Sequence, residues 1–454
     1  MKRAGWIAAL SAVWVWAVFR WGGVVVLDRE ILLLGLGVVG LGWRLANRHA
    51  AAIPGVAGRC WWVLPAYAAL QLVPVPRGLL RVVSPAREEL AKGLDAVGVG
   101  SWAAPLSVVP GIGGNQALLF AGYAVVFFLA YQIAAESKKG RWAAMLPPVA
   151  AAGLEAVLGM LQAVGGREVS GTYMNRDHYA GLLEMALPFA VAYPLARWQA
   201  ADTRRVFPMR LAAAMCAGWG AAAAMVAGSL ASLSRMGVLA ALFGVLAMGM
   251  VAWWGNGWRS AGAVAVLAAG LAGCFVFLPS DALIARFATS EDDLTEGRTT
   301  LWRESLPLVK TYPVFGCGLG GYEEVFLGRK VSLPMVRDDY AHNDYLQFLI
   351  ELGVAGFAIG AAVMGSIVRR TWRSAARGRD PGDRWLAIGC IGALAAIGLH
   401  SFVDFNLYIP ANAMLLAWIC GVALATDTEV EGVRDLRSVG LGMTIDVRPQ
   451  RSGW

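Results

Sequence analysis

The residues best suited to chemistry in this chain are few. Its 454 residues contain only four histidines, His49, His178, His342 and His400. Imidazole titrates near neutral pH and is the commonest proton acceptor in transfer reactions. Two arginines stand in segments of interest, Arg235 in ASLSRMG and Arg298 in EGRTTLWRESLPLV. A guanidinium presents a planar fork of donors that grips phosphate oxygens two at a time. Histidine with two arginines therefore suits proton transfer beside a bound diphosphate. Carboxylate chemistry is less well represented. No D-x-D pair occurs, which argues against a metal-dependent sugar-nucleotide transferase, and Asp28-Arg29-Glu30 is the nearest approach to a metal-binding carboxylate pair. Glu155, Glu184 and Glu351 fall inside apolar runs, where they suit either proton relay in a transporter or pairing with neighbouring helices.

The elements that must position these groups follow from composition. Hydrophobic residues make up 58% of the chain and charged residues 15%, with mean hydropathy +0.56. Soluble domains carry roughly 25% charged residues. An all-α polytopic membrane protein is expected. A spanning helix needs roughly 20 apolar residues, fewer where flanking side chains snorkel. On that measure twelve spans are expected, near 4–20, 30–46, 60–76, 115–135, 142–165, 178–197, 211–231, 236–254, 260–278, 344–368, 385–403 and 407–426. Lys and Arg concentrate in alternate short loops, from Lys2 and Arg3 to the run between Arg369 and Arg384, which predicts both termini in the cytoplasm. The same bias accounts for the net charge of +8 without a nucleic-acid partner. Loops at 77–114 and 279–343 then face outward, together with His178, His342 and His400, while His49 lies in an inner basic loop. The uncharged run after Arg3 lacks a small-x-small cleavage site and reads as a retained first helix. Residues 427–454 read as a polar cytoplasmic tail.

The long polar excursion from Asp281 to Gly356 organises the rest. Within it, EGRTTLWRESLPLV predicts an amphipathic helix bearing Leu301, Trp302, Ser305, Leu306 and Val309. Gly316, Gly318 and Gly321 match GxGxxG, but they follow a Pro-containing turn and not a strand, so they are read as shaping a loop. In the other outer loop, Leu90, Leu94 and Val97 recur at helical spacing, fitting either an interfacial amphipathic helix or a solvated surface helix. The spans beginning near 178 and 344 run inward from the outer face. Their N-terminal amides and dipoles suit an anion. Of six cysteines, four lie in apolar runs, Cys60 at the edge of one and Cys317 alone in a polar loop, so neither a disulfide framework nor a CxxC site is expected.

Five segments carry a resemblance: GTYMNRDHYAGLLEMALP at 171–188, SLSRMG at 232–237, GRTTLWRESLPLVKTYPVFGCGLGGY at 297–322, HNDYLQFLIELGVAG at 342–356 and HSFVDFNLYIPANA at 400–413. In this order around a long outer loop they resemble the O-antigen ligase and polymerase superfamily of bacterial membrane glycosyltransferases, over almost all of residues 1–426. The resemblance implies a GT-C-like transmembrane domain with a long, partly helical periplasmic loop, in the bacterial inner membrane. It implies transfer of a glycan from undecaprenyl diphosphate to a hydroxyl acceptor, without metal or other cofactor. It implies His342 as the catalytic base and Arg235 and Arg298 as diphosphate-binding residues, with Asn175, His178, His400 and Asp404 supporting. The leading reading is the ligase type, joining O-antigen to a lipid A-core sugar. A polymerase of O-antigen or exopolysaccharide, or a protein O-oligosaccharyltransferase, would share the donor chemistry. A lipid-linked sugar transporter using the intramembrane glutamates is the non-enzymatic alternative.

Overall fold

The computed structural model describes residues 3–47, 50–136, 138–201, 208–256, 296–331 and 337–427, with isolated positions at 262, 265 and 269. The expected span 260–278, the loop up to residue 295, the polar tail from 428 onward and His49 lie outside the described residues. In chain order the helices are α1 (Arg3–Phe19), α2 (Val26–Ala46), α3 (Gly55–Cys60), α4 (Val63–Leu70), α5 (Arg77–Val83), α6 (Pro85–Ala96), α7 (Pro110–Ala135), α8 (Lys138–Val164), α9 (Arg176–Ala200), α10 (Met209–Ala231) and α11 (Arg235–Asn256). They continue with α12 (Glu296–Thr311), α13 (Tyr322–Leu327), α14 (Asp344–Arg377), α15 (Pro381–His400) and α16 (Pro410–Ala425). The described strands are a short antiparallel pair, Pro74–Pro76 with Ala103–Pro105.

Among the described residues, seven helices, α7 to α11, α14 and α15, are long and apolar enough to cross a membrane. The chain is a multi-pass membrane protein. Of the twelve spans expected, α1 and α16 are apolar but shorter, and α2 is long enough but carries Asp28, Arg29, Glu30 and Arg44. The span expected at 60–76 is not one helix: α4 stops at Leu70 and the chain passes into the strand Pro74–Pro76. Prolines in that stretch remove amide donors and push their predecessors out of helical geometry. An eight-residue helix is only about 12 Å long.

The bundle closes around α9, which is apolar on nearly every side and almost wholly buried against α8, α10, α11, α15 and α16. A helix without a polar stripe has nowhere else to go. Trp14, Trp385 and Trp418 are fully buried, and each indole N–H has an acceptor: Ala411 O at 2.9 Å, Gln199 Oε1 at 2.8 Å and Ala144 O at 3.1 Å. Such pairing is required where no water can substitute.

α14 is broken at Gly353, whose φ of 64° and ψ of −178° are non-helical. The freed backbone groups are satisfied by the preceding loop. Val354 and Ala355 N–H donate to Pro313 O (2.9 Å) and Val314 O (3.0 Å), while Cys317 and Gly318 N–H donate to Ile350 O and Glu351 O, both at 2.9 Å. From α4, Tyr67 OH donates to Leu352 O (2.7 Å), and Gln71 Nε2, just beyond that helix, donates to Glu351 O (2.9 Å). Non-helical backbone at membrane depth persists only when protein groups take over its hydrogen bonds in this way. The glycine-rich loop is thus a backbone clamp on a split helix. A side chain at Gly353 would meet Val314 O at 2.3 Å, and one at Gly316 would meet Glu351 O at 2.2 Å. Gly353→Ala combines that clash with a backbone conformation open almost only to glycine. It is expected to destabilise the fold by about 3 kcal/mol or more. The check is thermal unfolding in detergent, where an unchanged Tm would contradict the clamp.

The segment leading into α14 supports its own small core. Leu301, Leu308, Tyr312, Tyr322, Phe326, Ala341, Leu346 and Ile350 cluster there. Ser305 and Tyr322 share a hydrogen bond at 2.8 Å, and Trp302 Nε1 donates to Ala341 O at 2.9 Å, next to His342. The expected face of α12 is corrected in one position: Leu306 is exposed, whereas Leu308 is buried. Residues 301, 305, 308 and 312 follow the helical period that a face centred on Leu306 does not. On α6 the buried residues are Arg87, Glu88 and Ala91; Leu90, Leu94 and Val97 all point outward.

Candidate functional site

Three of the four histidines converge on one carboxylate. Asp404, between α15 and the short turn Asn406–Tyr408, is buried. Its Oδ1 lies 3.6 Å from His342 Nδ1, and its Oδ2 lies 3.6 Å from His178 Nε2 and 3.8 Å from His400 Nε2. Asn406 Nδ2 donates to the same Oδ2 at 3.0 Å. Burial alone would push this carboxyl up, but the imidazoles of His342, His178 and His400 around it more than reverse that, holding it well below the usual carboxylate range. His400 turns its other nitrogen to Glu184 Oε2 at 2.9 Å, and both residues are buried. Glu184 is therefore a structural partner of His400 on α9. Of the three histidines, only His342 is open: its side chain is 33% exposed, against 7% for His178 and 1% for His400.

Local sequence sets each approach. His342 occupies a left-handed backbone conformation, φ 49°, directly before the cap of α14. Asn343 caps that helix by accepting from Leu346 N–H at 3.0 Å, and Asp344 N–H donates to Ser401 O and Asp404 O. The Asp344 carboxylate accepts from Ser401 OH at 2.8 Å and Leu407 N–H at 3.3 Å. The start of α14 and the link after α15 are thereby laced together. Asn175 caps α9 by accepting from Asp177 N–H at 2.8 Å, which fixes His178 in the first turn. Asn412 Nδ2 donates to His178 O at 2.9 Å and to Asn406 Oδ1 at 2.8 Å.

The expectation that two helix starts would offer free amides to an anion is narrowed here. Asp177, Asp344 and Leu346 N–H are already engaged by protein oxygens, and the first turns of α9 and α14 carry the acids Asp177 and Asp344. Cationic side chains stand beside these helix starts. Arg298, in the first turn of α12, reaches Asp177 Oδ2 at 3.9 Å, beside His178. Arg235 is the first residue of α11, whose turn is set by Ser234 Oγ accepting from Gly237 N–H at 3.2 Å. α11 packs closely there: a Cβ on Gly237 would stand 2.4 Å from Ala180 Cβ on α9. The start of α9 is thus common ground for His342, through Asp404 and His178, for Arg298, through Asp177, and for the helix bearing Arg235.

An aromatic wall adjoins these groups. Phe405 stacks on Tyr340 with centroids 4.1 Å apart and receives the rings of His342 and His178 edge-on at 4.8 and 4.6 Å. Among the described residues, no group of three or more His, Cys, Asp or Glu side chains is arranged to hold a metal ion.

Residues 220–361 match the family model described as O-antigen ligase. Over that segment the chain is similar to the O-antigen ligase family, which supports a place in the O-antigen ligase superfamily. No curated protein matches it. The O-antigen ligase segment runs from α10 into the second half of α14 and includes Arg235, Arg298 and His342. Asn175, His178, Glu184, His400 and Asp404 lie outside it, the first three at the cap of α9 or on it and the last two at the end of α15 or just after it. The likeness to O-antigen ligase is therefore carried by one part of the chain, while the carboxylate that gathers the histidines comes from another. Sequence reading treated Asp404 as merely supporting and missed the pairings of Glu184 with His400 and of Asp177 with Arg298. The usable signal was the acid at i+4 from His400 and the acid directly before His178.

Proposed function

We propose that this protein transfers a glycan from undecaprenyl diphosphate to a hydroxyl acceptor on the periplasmic side of the inner membrane, in the manner of an O-antigen ligase, with a lipid A-core sugar as acceptor. The observation that carries this reading is His342, the one open histidine of the Asp404 trio, within the O-antigen ligase segment. In the proposed step the acceptor oxygen attacks the anomeric carbon as the carbon–oxygen bond to the diphosphate breaks, with inversion. The acceptor proton passes to Nε2 of His342, the ring nitrogen turned away from Asp404. Asp404 orients the ring and balances the charge it acquires. The separation of 3.6 Å is longer than a hydrogen bond, and such contacts commonly tighten only when substrate is bound. The departing diphosphate leaves as an anion, so Arg235 and Arg298 stabilise it without an acid. An apolar cavity of about 550 Å3, reaching Tyr345, Phe348 and Leu407 below the site, suits the start of the carrier's tail.

Arg298→Lys and Arg235→Lys are each expected to lower turnover about tenfold, and the alanine variants about a hundredfold, because a point charge replaces a fork and then nothing does. Steady-state transfer from a purified lipid-linked donor measures this; alanine variants with wild-type rates would remove the arginines from the mechanism. The function itself is tested by the surface glycan of a deletion strain. Loss of a ligase leaves bare core and accumulated lipid-linked polymer. Single repeat units on the core would indicate a polymerase, and an unchanged profile would indicate another acceptor.

A further inference from the structure

At the end of the bundle opposite His342, the arginines fall into two groups. Arg141 pairs with Asp383, Arg370 with Asp427 at 2.5 Å, and Arg384 Nε donates to Ala375 O at 2.9 Å. These three hold neighbouring helices together. Arg369, Arg373 and Arg377 have no carboxylate partner among the described residues. They recur every fourth position on one face of α14, where they line a groove of about 440 Å3 with Val368, Trp372 and Trp254, the last from α11. Trp254 is strongly exposed, and Trp372 packs against the main core. Arginine above apolar surface with tryptophan at its edges has the composition of a membrane boundary.

The groove does not end at the boundary. Gly365 and Val368 also line the apolar cavity of about 550 Å3, beside Met364, Ile367 and Leu416. A cationic mouth therefore opens into a greasy slot, the outline of a molecule with an anionic head and a hydrocarbon chain. Arg369 and Arg377 are separated by about 12 Å along the helix axis. One phosphodiester would engage adjacent arginines only, whereas two phosphodiesters would engage all three forks. Orientation of the chain in the membrane explains basic residues at this end, but it requires neither a groove nor a shared wall with the cavity.

We propose that this groove binds an anionic phospholipid whose headgroup carries two phosphodiesters, of the diphosphatidylglycerol type, with one acyl chain in the slot. The headgroup bridges Arg369, Arg373 and Arg377 while the chain passes Val368 and Met364. Bound lipid would tie α14 to α11 at the far end of that cavity, leaving the end at Tyr345, Phe348 and Leu407 to the carrier's tail.

The test uses the full-length protein in neutral detergent, with lipid binding counted by native mass spectrometry and thermal unfolding followed in parallel. Diphosphatidylglycerol should bind more tightly than phosphatidylglycerol and raise Tm, and phosphatidylethanolamine should do neither. The triple variant R369Q/R373Q/R377Q should bind diphosphatidylglycerol about a hundredfold more weakly, from roughly fivefold per arginine. Arg373→Gln alone keeps both flanking charges for insertion and should still weaken binding by about fivefold. Unchanged affinity in either variant, or phosphatidylethanolamine binding as well as diphosphatidylglycerol, would overturn the proposal. Phosphatidylglycerol matching diphosphatidylglycerol would overturn the two-phosphate headgroup, and inorganic diphosphate reproducing the Tm rise in wild type but not in the triple variant would overturn the lipid in favour of a soluble anion.

Discussion

Replacing His342 by alanine is expected to lower glycan transfer by about two to four orders of magnitude, the usual loss when a positioned base is removed. The side chain is partly exposed, and the cap of α14 belongs to Asn343. Membrane insertion and Tm should therefore be close to wild type. Transfer measured with purified lipid-linked donor and acceptor glycan decides the matter. His342→Ala with more than about a tenth of wild-type turnover would exclude its role as base, since general-base contributions run far larger. Because φ at this position is positive, His342→Asn is a useful companion: asparagine tolerates that backbone and removes the imidazole. Loss in both variants would assign the effect to chemistry and not to the turn.

Asp404→Asn is expected to reduce turnover about a hundredfold or more while also destabilising the fold, because orienting carboxylates next to a catalytic imidazole contribute on that scale. The substitution keeps size but withdraws a buried negative charge from His178, His342 and His400 at once. A pH signature separates this from simple packing loss. The carboxyl is held below its unfolded value of about 3.9. A depressed folded value means the stabilisation is fully present above roughly pH 4 and disappears as pH falls through the acid range. The stability gap between wild type and Asp404→Asn should then be steady from about pH 5 to 7 with respect to this group, and should narrow below about pH 4. Urea or thermal unfolding across that range provides the check. A gap that persists undiminished into strong acid would show that Asp404 contributes by shape alone.

These two residues also show how unevenly the site could be read. His342 stands in HNDY, ahead of an apolar run, where rarity and position alone make it conspicuous. Asp404 looks like a loop acid following a histidine. Only when α9, α14 and α15 meet does it become the common partner of three imidazoles. Glu184 is similar: a carboxylate inside an apolar run suits a transporter relay, and the packing of α15 on α9 gives it His400 as a partner. The expectation of anion-binding helix starts is narrowed for a local reason, since Asn175, Asn343 and the backbone after α15 already take the Asp177, Leu346 and Asp344 donors.

The sequence by itself determined that the chain is a helical membrane protein, where most long helices run, and which histidine and arginines merit attention. Hydrophobic run length and rare charged residues are local quantities, and a bilayer reads them locally. Only the tertiary structure decided that the span expected at 60–76 is interrupted, that Gly353 splits α14, and that the glycine-rich loop repairs the split. It also gathered residues 177, 298, 342 and 404 at one end of the bundle. Those outcomes depend on backbone donors and side-chain charges finding partners tens to hundreds of residues away, and no short window of sequence contains both members of such a pair.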